Sequence, residues 1–528
     1  MAKAGQQRLM RGALLLTVTS FMVKILSAVY RVPFQNMVGD EGFYAYQQVY
    51  PIYGIAMTLA LSGLPVFLSK LVAEQEDEVE KRKVVRRIFP IVFWLSASMF
   101  AVTFFGGDLL AKWMGDSDLA PLIKMVSFVF LLTPFLTSFR GYYQGELIMA
   151  PTAYSQLWEQ VLRVGVILVA ALIFTKVDWS IYQVGTIAMA GALVGGLGAL
   201  YVLWQYRPTL KLFGKDGLGS LKQTAKSRPY TRRFLVEGGL ICGYSSLLVL
   251  FQLVDSFVIK NQLVLSGLTN MEAKVTKGVY DRGQPLVQVG LVIAVALTTS
   301  FLPTLTKYHM EKKVVFYERA VGIFLRITMV ISSAASVGLI MLLPYISNSL
   351  FGDGEETLSL SLFMGTVFFM SVVLAYQTLF QSRNHYRPPL YGLVLGWTVK
   401  VGVSPLLTGY LGTVGASLAT LLGLGSCLLV LVHYSPSMSK SGINSWFIWK
   451  LLTCLGMMVI SLAVYRGFVE SWLMASESRL LFFIASVVGV AIGGTVFLWM
   501  LVKIRLFTLR EWLMIPMGKK LLRNRSNS

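Results

Sequence analysis

Apolar runs of about bilayer length recur along the whole chain, separated by short polar breaks. A helix needs about 20 residues to cross the hydrocarbon core of a membrane. Hydropathy marks fourteen such stretches, near 12–34, 46–70, 88–106, 119–140, 154–176, 181–205, 234–259, 284–306, 320–346, 358–381, 388–408, 412–434, 446–468 and 479–503. The breaks are too short to fold as separate soluble domains, so the pattern predicts an all-α polytopic membrane protein with about 14 transmembrane helices. The first stretch departs from the apolar rule. Thr17, Ser20, Lys24, Ser27 and Arg31 follow steps of three and four, which puts them on one helix face. A cation at the centre of a spanning helix costs about 2.5–3.5 kcal/mol on insertion scales, so this stripe is expected to face a polar interior or a water-filled cavity. There Lys24 and Arg31 would meet an anion, with the guanidinium able to grip phosphate oxygens bidentately and Ser27 adding a hydroxyl. The alternative reading carries Arg31 to the membrane surface and gives Lys24 a carboxylate partner.

Composition sharpens this picture. Hydrophobic residues make up 55% and charged residues 14%, against about 25% charged in soluble domains. The net charge of +21 does not point to nucleic acid, because its cations gather in alternate loops: 81–87, 211–233, 307–319 and the tail from 505. The opposite loops carry Asp108, Asp116, Asp353 and Glu355. By the positive-inside rule both termini are expected in the cytoplasm of a cell whose plasma membrane holds the chain as a multi-pass protein. Neither the three cysteines nor the three histidines have ligand spacing, so no metal site is expected. No phosphate-binding Gly-Lys-Ser/Thr loop and no nucleophile–base set is evident, which argues against an enzyme and against a cofactor.

The chain also repeats itself. Pro65 and Pro303 close spans two and eight, Pro151 and Pro388 open spans five and eleven, and Arg163 and Lys400 each follow twelve residues later, all at an offset of about 237 residues. Six spans separate the copies, so the expected repeats are parallel, with a central site between them. The organisation predicted is an N-terminal lobe over 1–206, a basic cytoplasmic linker over 207–233, a C-terminal lobe over 234–434, and two further helices with a basic tail over 435–528. Asp255, deep in span seven, is the candidate counter-ion or coupling-ion site. Gln284 and Gln288, one turn apart, suit sugar hydroxyls or helix packing. Glu159 and Arg163 stand four residues apart, acid first, as a structural ion pair within the first lobe. Lys400 is the repeat equivalent of Arg163 and has no acid on its own helix, so it requires a partner or is a second cavity charge. Small residues at Gly191, Gly195 and Ala199, and at Gly489 and Gly493, predict close helix packing.

Several of these segments resemble a known family. Val23-Lys24-Ile25-Leu26, Val29-Tyr30-Arg31, Gly63-Leu64-Pro65, Arg140-Gly141-Tyr142-Tyr143-Gln144-Gly145 and Tyr280-Asp281-Arg282-Gly283-Gln284-Pro285 are similar to MurJ- and SpoVB-type proteins, closest to the SpoVB-like Gram-positive paralogues. These belong to the multidrug/oligosaccharidyl-lipid/polysaccharide exporter superfamily. The resemblance implies two six-helix lobes plus two C-terminal helices, and transport of a polyprenyl-pyrophosphate-linked sugar such as lipid II from the cytoplasmic to the outer leaflet. It also implies membrane lipids and cell-envelope synthesis proteins as partners. On it, Lys24, Arg31 and Arg282 would line the substrate cavity. Span two departs from the pattern, having Gln47, Gln48, Thr58 and Ser62 and no mid-membrane arginine. A drug or cation antiporter of the same superfamily is the second reading, and would turn on an acid such as Asp255, Glu159 or Glu237.

Overall fold

The computed structural model describes residues 16, 18–206, 228–435, 443–473 and 478–507. Thr17, most of the 207–233 segment and the basic tail beyond 507 lie outside them. Every regular element among the described residues is helical. In chain order they are α1 (18–29), α2 (Arg31–Met57), α3 (Leu64–Ala73), α4 (Glu78–Phe105), α5 (Gly107–Trp113), α6 (Ala120–Gly145), α7 (Met149–Phe174), α8 (Ile181–Gln205) and α9 (Arg228–Arg233). Then come α10 (Gly239–Ser245), α11 (Leu247–Leu265), α12 (Asn270–Asp281), α13 (Gly283–Met310), α14 (Val314–Leu350), α15 (Thr357–Ser382), α16 (Arg387–His433), α17 (Ser445–Leu473) and α18 (Arg479–Lys503). Short π-helical segments, Thr58–Ser62 and Phe234–Gly238, precede α3 and α10.

Twelve helices among the described residues are long and apolar enough to cross a membrane. Two of them, Val18–Ala73 with 56 residues and Arg387–His433 with 47, have the length for two passages at 1.5 Å per residue. Each is broken by one glycine in a backbone conformation that other residues rarely adopt: Gly39 at φ 73° and Gly412 at φ 59°. The loop expected between 34 and 46 is therefore absent, and Gly39 alone interrupts the helix. Large apolar side chains such as Leu429 and Phe468 remain 72% and 76% exposed, as lipid-facing residues do. The protein is an all-helical, multi-pass membrane protein.

A second departure concerns span eight, expected from 284. The helical path begins at Asn270, where Thr269 and Glu272 form a capping box. Lys274, Lys277 and Asp281 depress the hydropathy of α12, so a scan for apolar runs passes over it.

The helices fall into two compact units, residues 1–285 with 400–416, and 286–399 with 417–528. This division differs from lobes bounded at 206 and 234, because α9–α12 pack closely on the second passage. A Cβ at Gly54 would lie 2.7 Å from Val249, one at Gly63 2.5 Å from the sulfur of Cys242, and one at Gly278 2.3 Å from the Asp40 carbonyl oxygen. In the second unit, Gly489 and Gly493 admit the side chains of Leu342 and Leu462 in the way the small-residue pattern predicts.

The same pattern joins α7 to α8. A Cβ at Gly195 would sit 2.5 Å from the Glu159 carbonyl oxygen and one at Gly191 2.9 Å from that of Arg163. Gly195→Leu is expected to lower stability by about 1–3 kcal/mol or more through overpacking. Gly165→Leu is the control, since a Cβ there meets nothing within 4 Å. Equal melting temperatures for the two purified variants would contradict the packing.

Candidate functional site

The polar stripe of α1 turns toward α7. Ser20 Oγ donates to Gln156 Oε1 at 3.1 Å, and Arg163 Nη2 donates to Ser27 Oγ at 3.2 Å and to Gln160 Oε1 at 3.0 Å. Arg31 is wholly buried, its guanidinium carbon 4.3 Å from the centre of the Tyr50 ring. Arg163 lies over Tyr53 at 4.8 Å. Lys24, on the same stripe, is exposed. The two cations expected to act together are thus separated by accessibility. Helix α2 continues directly from α1 through Tyr30 and carries Arg31 and Phe34 into the core, so Arg31 has no open surface here.

A second set of charges lies where α11, α12 and the 400–416 segment meet. Lys400 Nζ is 2.5 Å from Asp255 Oδ1, with both side chains buried. Lys277 holds both oxygens of Asp281 at 2.6 Å, again buried. Arg282 Nη2 donates to Asp40 Oδ1 at 2.6 Å, tying α12 to the Gly39 break. Gln284 accepts a hydrogen bond from Gln252. Gln288 belongs to the second unit and is half-buried. Asp255, the candidate counter-ion, pairs with Lys400 and so gives that lysine its partner.

The Glu159–Arg163 pairing is replaced by another. Glu159 Oε2 accepts from Arg140 Nη2 at 2.5 Å, with both groups buried. The same guanidinium donates to Ser155 Oγ at 3.1 Å and to the Ala60 carbonyl at 3.0 Å. That last bond follows from the sequence. In the π register of Thr58–Ser62 the Ala60 carbonyl looks five residues ahead to Pro65, which has no N–H to give. Arg140 supplies the missing donor and takes Glu159 as counter-ion, leaving Arg163 to Ser27 and Gln160.

A family model described as "Polysaccharide biosynthesis protein" matches residues 9–309. The chain belongs to that family. A relative in Bacillus subtilis (strain 168), the "Uncharacterized membrane protein YabM", is 34% identical over 97% of this chain and 95% of its own. The "Lipid II flippase MurJ" of the same organism is 24% identical over 93% of this chain and 94% of its own. Among solved structures, "Lipid II flippase MurJ, inward closed conformation" superposes with a TM-score of 0.64 at 15% identity, covering 93% of this chain and 99% of that one. That likeness shows a shared fold.

In this member of the polysaccharide biosynthesis family, four acids of the first unit are engaged with cations. Asp255, Asp281 and Glu159 each hold a cation, and Glu237 holds both Lys70 and Arg233. Sequence reading missed Arg140, Lys277, Asp281 and Asp40 as members of these networks. A buried Arg in the Arg140–Gly145 motif was a signal for the first. The others lie in α12 and at Gly39, which hydropathy assigned to a loop.

Proposed function

We propose that the protein carries a polyprenyl-pyrophosphate-linked sugar, lipid II or a related cell-envelope precursor, from the cytoplasmic to the outer leaflet by alternating access. The observation that carries this reading is Lys24: an exposed ammonium within a spanning helix, on a face otherwise made of hydroxyls and a buried guanidinium. A cation kept accessible inside a span offers an anionic headgroup a partner that lipid does not provide. The relative named as a lipid II flippase supports the substrate class. An antiporter for cationic drugs would need an accessible acid, and the paired state of Asp255, Glu159 and Glu237 weighs against it. The test is reconstitution of the purified protein into vesicles. Lipid-linked sugar headgroups should become exposed on the far side, while a cationic dye should not be moved. Dye movement without headgroup exposure would favour the antiporter.

The lobes 1–206 and 234–434 are the bodies proposed to move, with lipid and cell-envelope synthesis proteins as partners. Both termini are proposed to be cytoplasmic in a bacterial plasma membrane. A cysteine placed in the 207–233 linker should be shielded from an impermeant thiol reagent in intact cells, and one placed beside Asp353 should react. Outside labelling of the linker would reverse the orientation.

A further inference from the structure

The turn that follows α5 is gripped by side chains from α2, α8, α11 and α12. The carbonyls of Trp113, Met114 and Gly115 come one after another, and each accepts a donor from another helix. Asn261 Nδ2 of α11 reaches Trp113 at 2.8 Å, Gln48 Nε2 of α2 reaches Met114 at 3.5 Å, and Lys260 Nζ of α11 reaches Gly115 at 2.5 Å. The same Gln48 nitrogen donates to the Ser256 carbonyl of α11 at 2.5 Å. Asp116, next in the chain, is buried. Its Oδ2 accepts from the Tyr182 hydroxyl of α8 at 2.8 Å and lies 3.1 Å from Lys274 Nζ of α12. Lys274 also donates to the Tyr182 hydroxyl at 2.6 Å, and Arg282 fastens the far end of α12 to Asp40.

This seam differs in kind from the one between α7 and α8. There, glycines bring helix against helix, and parting them would open a void in a close-packed interior. Here long polar side chains reach a carboxylate and the carbonyls that a helix end leaves without partners of its own. Water can take the place of each donor, so the seam can part and re-form without stranding a buried polar group. The elements it joins come from the two lobes proposed to move, 1–206 and 234–434. We propose that the 113–116 turn, with Lys260, Asn261 and Lys274, is a latch that must release α11 and α12 in each transport cycle. The latch rests on the alternating-access reading, and on the proposed orientation it closes the outer end.

Two measurements on the purified full chain test it, one of them without substrate. Backbone amide exchange is followed over α12 and, for comparison, over α7 and α8. Lys274→Met removes a charged hydrogen bond and should speed exchange in residues 270–281 by about tenfold or more, with α7 and α8 at the parental rate. The second variant joins Gly115→Cys to Asn261→Cys, because a Cβ at Gly115 would run into the Asn261 side chain; the single-cysteine variants are its controls. Its disulfide should slow exchange in 270–281 and stop headgroup exposure in vesicles, and reductant should restore both. This arm also decides the matter where Lys274→Met fails to fold. Exchange unchanged in every folded variant overturns the latch, whether or not the protein flips lipid. Undiminished flipping by fully cross-linked protein overturns it too, since a static contact is indifferent to being locked. A parent that exposes no headgroup counts against the proposed function alone, and the exchange measurement then decides the latch.

Discussion

Lys400→Met is expected to remove most folded protein from the membrane, and Lys400→Met combined with Asp255→Leu is expected to restore much of it. Lys400 is 0% exposed and Asp255 2%, so neither charge can turn to water when its partner is removed. Taking one member from a buried ion pair leaves the other uncompensated, typically at about 3–5 kcal/mol. The nearest relief for Asp255 would be Lys277, whose charge reaches it. Lys277 is already committed to both oxygens of Asp281 at 2.6 Å, so relief by that route would break a second pair. Replacing both partners by apolar groups of similar volume removes the desolvation cost along with the attraction, and such exchanges are often neutral. The measurement is the amount and melting temperature of monodisperse protein extracted from membranes. A single Lys400→Met variant as stable as the parent would show that the pair is not a structural tie.

Much of the fold was legible because a bilayer imposes one dominant rule. Length and apolarity marked the spans, and the small residues at Gly191 and Gly195 marked a close helix contact that the structure contains. The rule fails where a helix is charged or a turn is made by one residue. α12 carries Lys274, Lys277 and Asp281, and the chain turns at Gly39 without a polar loop, so both were passed over. The candidate site was legible as a set of buried charges, but its partners were not. Asp255 and Lys400 are 145 residues apart, and Arg282 and Asp40 are 242 apart. Spacing along one helix pointed Glu159 to Arg163. In a dry interior the choice went instead to Arg140, which Pro65 had already drawn toward the Ala60 carbonyl. A local rule describes pairs in water, where nothing else competes. Inside the protein, the donor left over from a proline decides.

Lys24→Ala is expected to slow flipping by about 10- to 100-fold while leaving folded protein at its normal level. The ammonium is exposed, so its loss leaves no uncompensated buried group and no cavity. On the proposed function, what it removes is a charge-assisted contact to an anionic headgroup, worth about 1.5–3 kcal/mol, and each 1.36 kcal/mol is tenfold in rate when lost from the transition state. Lys24→Arg should retain most activity if charge alone is used, since either cation can meet a phosphate oxygen. Arg31→Ala separates the two roles on the stripe. Its guanidinium packs on Tyr50 and is sealed from the surface, so the variant should lose stability before it loses transport per folded molecule. The readout is headgroup exposure in reconstituted vesicles, divided by the amount of folded protein for each variant. A Lys24→Ala protein that flips at the parental rate would take Lys24 out of the path and leave the cation stripe with a purely structural role.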